Sequence, residues 1–174
     1  ETLELMESID EEGEQWARLL DVLTQRARAA ADRDDKAVVL RRKAVVATHR
    51  LDDAKTAIRS WSEVLDVCPD DVEALDALAE IHERQKSFAE LIEVLGRRAG
   101  TIESVPERAD VHKRMAHLLE DELKKPDAAM EYWRKVLDAG EDVESLGALS
   151  RYYERTGAFE QLVDVLARQA PYAE

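Results

Sequence analysis

The sequence is poor in several residue types, and each shortage excludes a class of protein. Among 174 residues there is one cysteine, Cys68, so neither an internal disulfide nor a multi-cysteine metal site can form. No apolar run approaches the ~18 residues of a membrane span, so we expect no membrane insertion. Aromatic residues make up only 5%, whereas Leu, Ala, Glu and Arg are abundant. This composition predicts an all-α protein.

The chain is strongly acidic, which limits the kinds of partner that it can bind. Asp and Glu number 39 against 25 Lys and Arg, and the formal net charge is −14. Binding to phosphates is driven by positive charge, so we expect neither nucleic acid nor an anionic membrane surface as the main partner.

Motifs of enzymes are also missing. The sequence has no Gly-rich phosphate loop, no nucleophile elbow and no paired-histidine metalloprotease motif. His112 and His117 are five residues apart and diverge by ~140° on one helix, so they do not form the usual metal pair. We therefore expect no catalytic residues, no metal and no cofactor.

The chain opens on Glu1 inside an amphipathic pattern, so we interpret it as a piece of a longer protein. Low cysteine use is compatible with the cytoplasm, which we take as the expected compartment.

The chain repeats itself at an offset of 72 residues. Between positions 16 and 68, 16 of 53 residues are identical to the residue 72 positions later, against roughly five expected by chance. Trp61 matches Trp133 in this alignment, and we expect both to pack between helices. After the loss of one residue the match continues at an offset of 71, as in Asp71 and Asp142. The repetition covers nearly the whole chain.

Each long unit contains two helix pairs with helical apolar spacing, so the elementary repeat is about half of 72 residues. Pro106 lies in a polar stretch that we expect to be the longest loop. The pattern predicts ten helices, near 2–12, 14–31, 36–50, 54–68, 71–85, 87–100, 107–122, 126–139, 142–156 and 158–171.

A helix–turn–helix unit of about 34 residues resembles the tetratricopeptide repeat (TPR). The best match covers residues 143–170, where Leu146, Leu149, Ser150 and Tyr153 stand at the large, large, small and aromatic positions of the family's first helix. Elsewhere the match is looser. Arg41 and Lys113 replace a large apolar residue, and Leu91 and Leu162 replace a small one.

The resemblance implies an all-α, right-handed α-solenoid of about five TPR-like helix pairs, with residues 1–174 forming a single array. In such an array the first helix of each pair lines a concave groove. Carried across residue by residue, the groove-lining positions include Arg42, Val46, His49, Glu73, Asp76, Glu80, Glu83, Arg114, Leu118 and Arg151.

Four of these residues form a stripe of negative charge. Glu73, Asp76, Glu80 and Glu83 are spaced by three, four and three residues, so one helix places them on one face. A solvated helix face explains such a stripe, and so does a groove for a basic or amphipathic peptide. Recognition of chaperone C-terminal tails, for which the family uses Lys and Asn, is disfavoured because the chain contains no asparagine.

We therefore expect a non-catalytic scaffold that binds a peptide or helical segment of another protein. The alternative is an assembly module whose ends stack on further repeats or on copies of itself. At one end Leu3, Met6 and Ile9 would make that contact, and at the other Val163, Leu166 and Ala170. A part of an enzyme is a third reading, which requires the catalytic residues to lie outside this sequence.

Overall fold

The chain is all-helical in the part that a computed structural model describes, which comprises residues 3, 6, 15–51 and 53–172. Of the first predicted helix, Leu3 and Met6 are described and are helical, and the rest lies outside the described residues. The nine helices that follow are α1 (Trp16–Ala29), α2 (Arg33–Arg50), α3 (Ala54–Val67), α4 (Val72–Arg84), α5 (Phe88–Thr101), α6 (Val105–His117), α7 (Pro126–Ala139), α8 (Val143–Thr156) and α9 (Phe159–Gln169).

Aspartate side chains start several of these helices. The carboxylates of Asp32, Asp71 and Asp142 accept hydrogen bonds from backbone N–H groups three residues later, at 2.9, 2.9 and 2.8 Å. Each bond satisfies an N–H that has no partner within the helix. The negative charge also interacts favourably with the helix dipole. The acidic residues at these positions therefore fix where α2, α4 and α8 begin.

The predicted long loop around Pro106 is wrong. Pro106 lies in the first turn of α6, which Ser104 caps by accepting from the backbone N–H of Glu107. Proline suits this position because its fixed φ is helical and its missing N–H would have no partner there. The helix accordingly starts at Val105, two residues earlier than predicted.

A π-helical turn at Leu118–Glu122 ends the helix that began at Val105. The backbone N–H of Leu123 bonds to the carbonyl of Leu118, five residues back, at 3.0 Å. The chain then reverses through Lys124, whose φ is 53°, before Pro126 opens α7. The wider turn leaves Leu119 buried in the core.

The chain divides into two compact units, Glu1–Lys86 and Ser87–Glu174. Helices α1–α4 belong to the first unit and α5–α9 to the second, and within each unit the helices pack mainly on their neighbours in sequence. None of the described helices combines the length and the hydropathy needed to cross a bilayer. The core of the second unit contains Ala116, Leu119, Ala129, Met130, Trp133, Leu146, Ala148, Leu149, Tyr153 and Val165.

Both matched tryptophans are buried, as the repeat predicted. Trp61 and Trp133 have exposed fractions of 2% and 1%. The indole N–H of Trp61 donates to the hydroxyl of Thr48 at 2.9 Å. The ring of His117 meets Trp133 edge-on, with 4.9 Å between the ring centroids. Each tryptophan thus joins the two helices of one pair.

We expect Trp61→Ala to lower the free energy of unfolding by about 3–5 kcal/mol, because it leaves a cavity and removes the hydrogen bond from the indole N–H to the hydroxyl of Thr48. Urea denaturation followed by circular dichroism measures this loss. Trp16→Ala is the matched control, since Trp16 is only half-buried, with the guanidinium of Arg50 4.9 Å from its ring centroid. Equal losses in the two variants would contradict the assignment of Trp61 to the core.

Candidate functional site

The acidic stripe consists of Glu73, Asp76, Glu80 and Glu83 on α4. Their spacing places them on one side of the helix, and all four are exposed. The buried side of the same helix carries Ala74, Leu75, Leu78, Ala79, Ile81 and His82. Burial of this apolar side fixes the rotation of α4 and so turns the stripe towards solvent.

Two arginines lie near the stripe. The Nε of Arg84 is 3.9 Å from a carboxylate oxygen of Glu80 on the same helix, and both side chains are well exposed. Such an exposed pair stabilises a helix by only a few tenths of a kcal/mol. Arg41 of α2 attracts Glu73, but its guanidinium is already bound to Asp71. Asp76 and Glu83 also have interactions of their own, and all four carboxylates of the stripe are nevertheless exposed.

The predicted groove residues of α2 have different surroundings. Arg42 and His49 are exposed, whereas Val46 is only 8% exposed and belongs to the core. This corrects the expectation that Val46 lines an open groove. The reason is that α2 buries residues on most of its circumference, since it packs on α1 and α3 and is bonded to α4.

The remaining predicted residues belong to the second unit. Arg114 on α6 and Arg151 on α8 are exposed, and Leu118, at the start of the π-helical turn, is half-buried. The structure thus places Arg42 and His49 on the helix bonded to the one that carries the acidic stripe. It places Arg114, Leu118 and Arg151 in a separate unit.

An ion pair links α2 to the start of α4. The Nε of Arg41 donates to Oδ2 of Asp71 at 2.6 Å, while Oδ1 of the same carboxylate accepts the backbone N–H of Ala74. The Asp71 side chain is only 5% exposed. The hydrogen bond to this carboxylate raises the pKa of Arg41 above its ordinary value. The charge of Arg41 therefore stabilises a buried capping carboxylate.

The second unit repeats this ion pair at the matching positions. The ammonium of Lys113 lies 2.6 Å from Oδ2 of Asp142 and 3.4 Å from Glu144. Oδ1 of Asp142 accepts both the backbone N–H and the hydroxyl of Ser145. Burial by itself raises the pKa of Asp142, but the hydrogen bonds from Lys113 and Ser145 outweigh burial and lower it. We call Arg41–Asp71 and Lys113–Asp142 the capping ion pairs.

In the sequence Arg41 and Lys113 stand out only as departures from the family pattern, and their aspartate partners are not predicted from it. The signal was present in the repeat. The two copies have a basic residue at matching positions, Arg41 and Lys113, and each is followed about thirty residues later by an aspartate. A basic residue at an apolar position in both copies indicates a shared partner.

His117 contacts acidic residues of the second unit. Its Nε2 lies 3.0 Å from Glu144, and its Nδ1 lies 3.6 Å from Asp121. Within the described residues no three His, Cys, Asp or Glu side chains are placed to hold a metal ion. The contacts suit a hydrogen-bonded surface histidine.

We expect Asp142→Asn to lower the free energy of unfolding by about 1 kcal/mol at pH 7, because asparagine retains the cap but not the ion pair. The folded pKa of Asp142 is lowered, so its contribution is fully present above the unfolded pKa of ~3.9. That contribution is lost as the pH falls through the folded pKa. The gap between variant and wild type should therefore close in strong acid.

Urea titrations from pH 7 downwards measure this gap. Asp110→Asn makes the same chemical change at an exposed position of α6 and should leave stability nearly unchanged. A gap for Asp142→Asn that is absent at pH 7, or constant down to the lowest pH, would contradict the role of the ion pair.

No family model and no curated protein matches the sequence. Solved structures do match the fold. The MamA RS-1 ArsTM double mutant aligns with 98% of this chain and 92% of its own at 14% identity, with a TM-score of 0.50. A putative kinesin light chain of Podospora anserina with nearly identical TPR-like repeats aligns with 98% and 92% at 13% identity, TM-score 0.47.

Pseudomonas aeruginosa pilF aligns with 99% of this chain and 76% of its own at 15% identity, with a TM-score of 0.46. All three are TPR-type proteins. At these identities the likeness concerns the fold alone. The chain is thus similar to TPR-type proteins in architecture, and its fold is the all-helical fold of that type.

Proposed function

We propose that this chain is a non-catalytic interaction module that binds a cationic, amphipathic helical segment of another protein on the acidic stripe of α4. The TPR-type fold supports a role in protein interaction. The single cysteine fits a cytoplasmic setting. The observation that carries the proposal is the exposure of four carboxylates, of which the other copy of the repeat keeps only the first and the last.

A comparison between the two copies of the repeat supports the choice of these residues. The positions of Glu73, Asp76, Glu80 and Glu83 correspond to Glu144, Gly147, Arg151 and Glu154. Glu144 lies 3.4 Å from Lys113, so the first acidic position has a structural use in the second copy. The two middle positions are not acidic there. The repeat scaffold therefore does not require an acidic residue at the positions of Asp76 and Glu80.

Like charges along one helix face destabilise it by a few tenths of a kcal/mol per pair. A ligand that carries lysine or arginine would relieve this repulsion and gain favourable interactions with several carboxylates. Because the side chains are exposed, salt screens the attraction beyond ~8 Å at physiological ionic strength. Strong salt dependence is consequently a signature of binding at this stripe.

We expect the double reversal Asp76→Lys and Glu80→Lys to weaken binding of a cationic amphipathic peptide by about tenfold or more, the equivalent of ~1.4 kcal/mol. The salt dependence of the affinity should also decrease. Fluorescence anisotropy with a labelled peptide at several salt concentrations measures both quantities.

The matched control is Glu90→Lys with Glu93→Lys. These residues are also exposed and three apart, but they lie on α5. The control changes the net charge by the same amount, so it removes the effect of overall charge. If both double variants bind the peptide as the wild type does, with intact circular dichroism, the stripe is a solvated face.

A second candidate function is assembly through α9, and a specific observation favours it. Phe159, Val163 and Leu166 are 69%, 67% and 48% exposed on this helix. The matching residues of α5 include Leu95, which is buried, and Ile92, which packs against the core. The face that is covered on α5 is therefore exposed on α9 in the described part of the chain.

If this face mediates self-association, Val163→Glu with Leu166→Glu should abolish any increase of mass with protein concentration in light scattering. The mass of the wild type should rise over the same range. A wild type that stays monomeric at all concentrations would remove support for assembly through α9.

A further inference from the structure

The first unit contains a cleft of about 460 Å³ between α1, α2 and α3. This volume falls within the range of ~300–1,000 Å³ that is typical of small-molecule sites. Leu20, Ala27, Leu40 and Val67 supply apolar walls. Its charged lining residues are Asp21, Arg28, Lys36, Lys43, Arg59, Glu63 and Asp66.

Lys43 is the buried charge of this cleft, with an exposed fraction of 7%. One N–H of its ammonium donates to Oε2 of Glu63 at 2.6 Å. The other oxygen of Glu63 lies 3.6 Å from Nε of Arg59, a side chain that is 84% exposed. One carboxylate is therefore shared between two cations. Positive charge remains at this point of a chain whose net charge is −14.

The second copy of the repeat fills the matching positions with other side chains. Lys43 corresponds to Met115, Leu40 to His112 and Ser60 to Tyr132. Met115 is 1% exposed, and its terminal methyl approaches Gly96 of α5, at 3.6 Å from where a Cβ would stand. The rings of His112 and Tyr132 are neighbours, with 6.0 Å between their centroids.

This difference is not explained by stability. Burying a charge carries a desolvation penalty, and exchange of a buried ion pair for apolar side chains is often neutral or stabilising. The second copy shows that the scaffold accommodates methionine at this position. A buried lysine beside an open, partly apolar cleft is what recognition of an anion with an apolar body requires.

We infer that the cleft between α1, α2 and α3 is a binding site for a small amphiphilic carboxylate. The alkyl or aryl body packs on Leu20, Leu40 and Val67, and the carboxylate is bound by Lys43 and Arg59. This site is independent of the acidic stripe, because the two involve different helices of the first unit and ligands of opposite charge.

The test uses the whole chain, labelled with ¹⁵N, and octanoate as the probe. We expect saturable chemical-shift changes in the backbone amides of Thr24 and Ser60, which line the cleft. Methyl octanoate has the same apolar body without the charge, and it should bind more weakly. Lys43→Met should weaken octanoate binding about tenfold or more, since it removes a charge-assisted hydrogen bond.

Variants that introduce the matching residue of the other copy distinguish a loss of binding from a loss of folding. Lys43→Met introduces the residue found at position 115 but leaves the carboxylate of Glu63 with Arg59 as its remaining cation, so its unfolding midpoint should fall below that of the wild type. Circular dichroism at the temperature of the binding assay checks that the variant is still folded. Arg59→Glu introduces the residue found at position 131, and it should also weaken binding without unfolding the chain. Lys125→Met, at an exposed position of the second unit, is the matched control and should bind as the wild type does.

Absence of saturable shifts at Thr24 and Ser60 would overturn the inference. So would equal binding of octanoate by the wild type and Lys43→Met. Equal binding of octanoate and methyl octanoate would show that the cleft takes apolar bodies without recognising the carboxylate, and it would overturn the assignment of the ligand class.

Discussion

Asp71 and Asp142, the carboxylates of the capping ion pairs, connect local structure to packing in the two units. Each carboxylate starts a helix through one oxygen and binds a basic side chain of a preceding helix through the other. One residue therefore fixes both where a helix begins and how it lies on its neighbour. Without the basic partner the carboxylate would be partly buried and unpaired, which is costly. The rotation of α4, and hence the exposure of the acidic stripe, depends on this arrangement together with the buried apolar side of the helix.

The two copies of the repeat share the residues that hold the helices together and differ in residues that solvent can reach. The matched tryptophans and capping ion pairs are present in both. The acidic stripe and the cleft that contains Lys43 have no counterpart of the same chemistry in the second copy. The scaffold side chains are closely packed in the core, so these positions tolerate few substitutions. Exposed positions tolerate many, so differences there are informative about ligands. The internal repeat thus acts as a reference for judging each unusual residue.

Much of the fold could be predicted from sequence, and the misses have physical causes. Helical periodicity, the 72-residue repeat and the burial of Trp61 and Trp133 follow from patterns along the chain. Proline is a loop signal and predicts a loop around Pro106, but it also suits a first helical turn, which is the position that it has in α6. The family's groove positions place Val46 on an open face, but α2 packs on several sides and buries this side chain.

The amino-acid sequence is sufficient to predict the helical class, the repeat period, the acidic stripe and the absence of cysteine pairs. These features are local or periodic, so spacing along one helix is sufficient to find them. The packing of the helices determines which charges are paired, that Lys43 is buried beside an open cleft, and that the apolar face of α9 is exposed. Those facts depend on side chains from helices that are distant in sequence. Burial and pairing are properties of packed surfaces, and no single segment contains them.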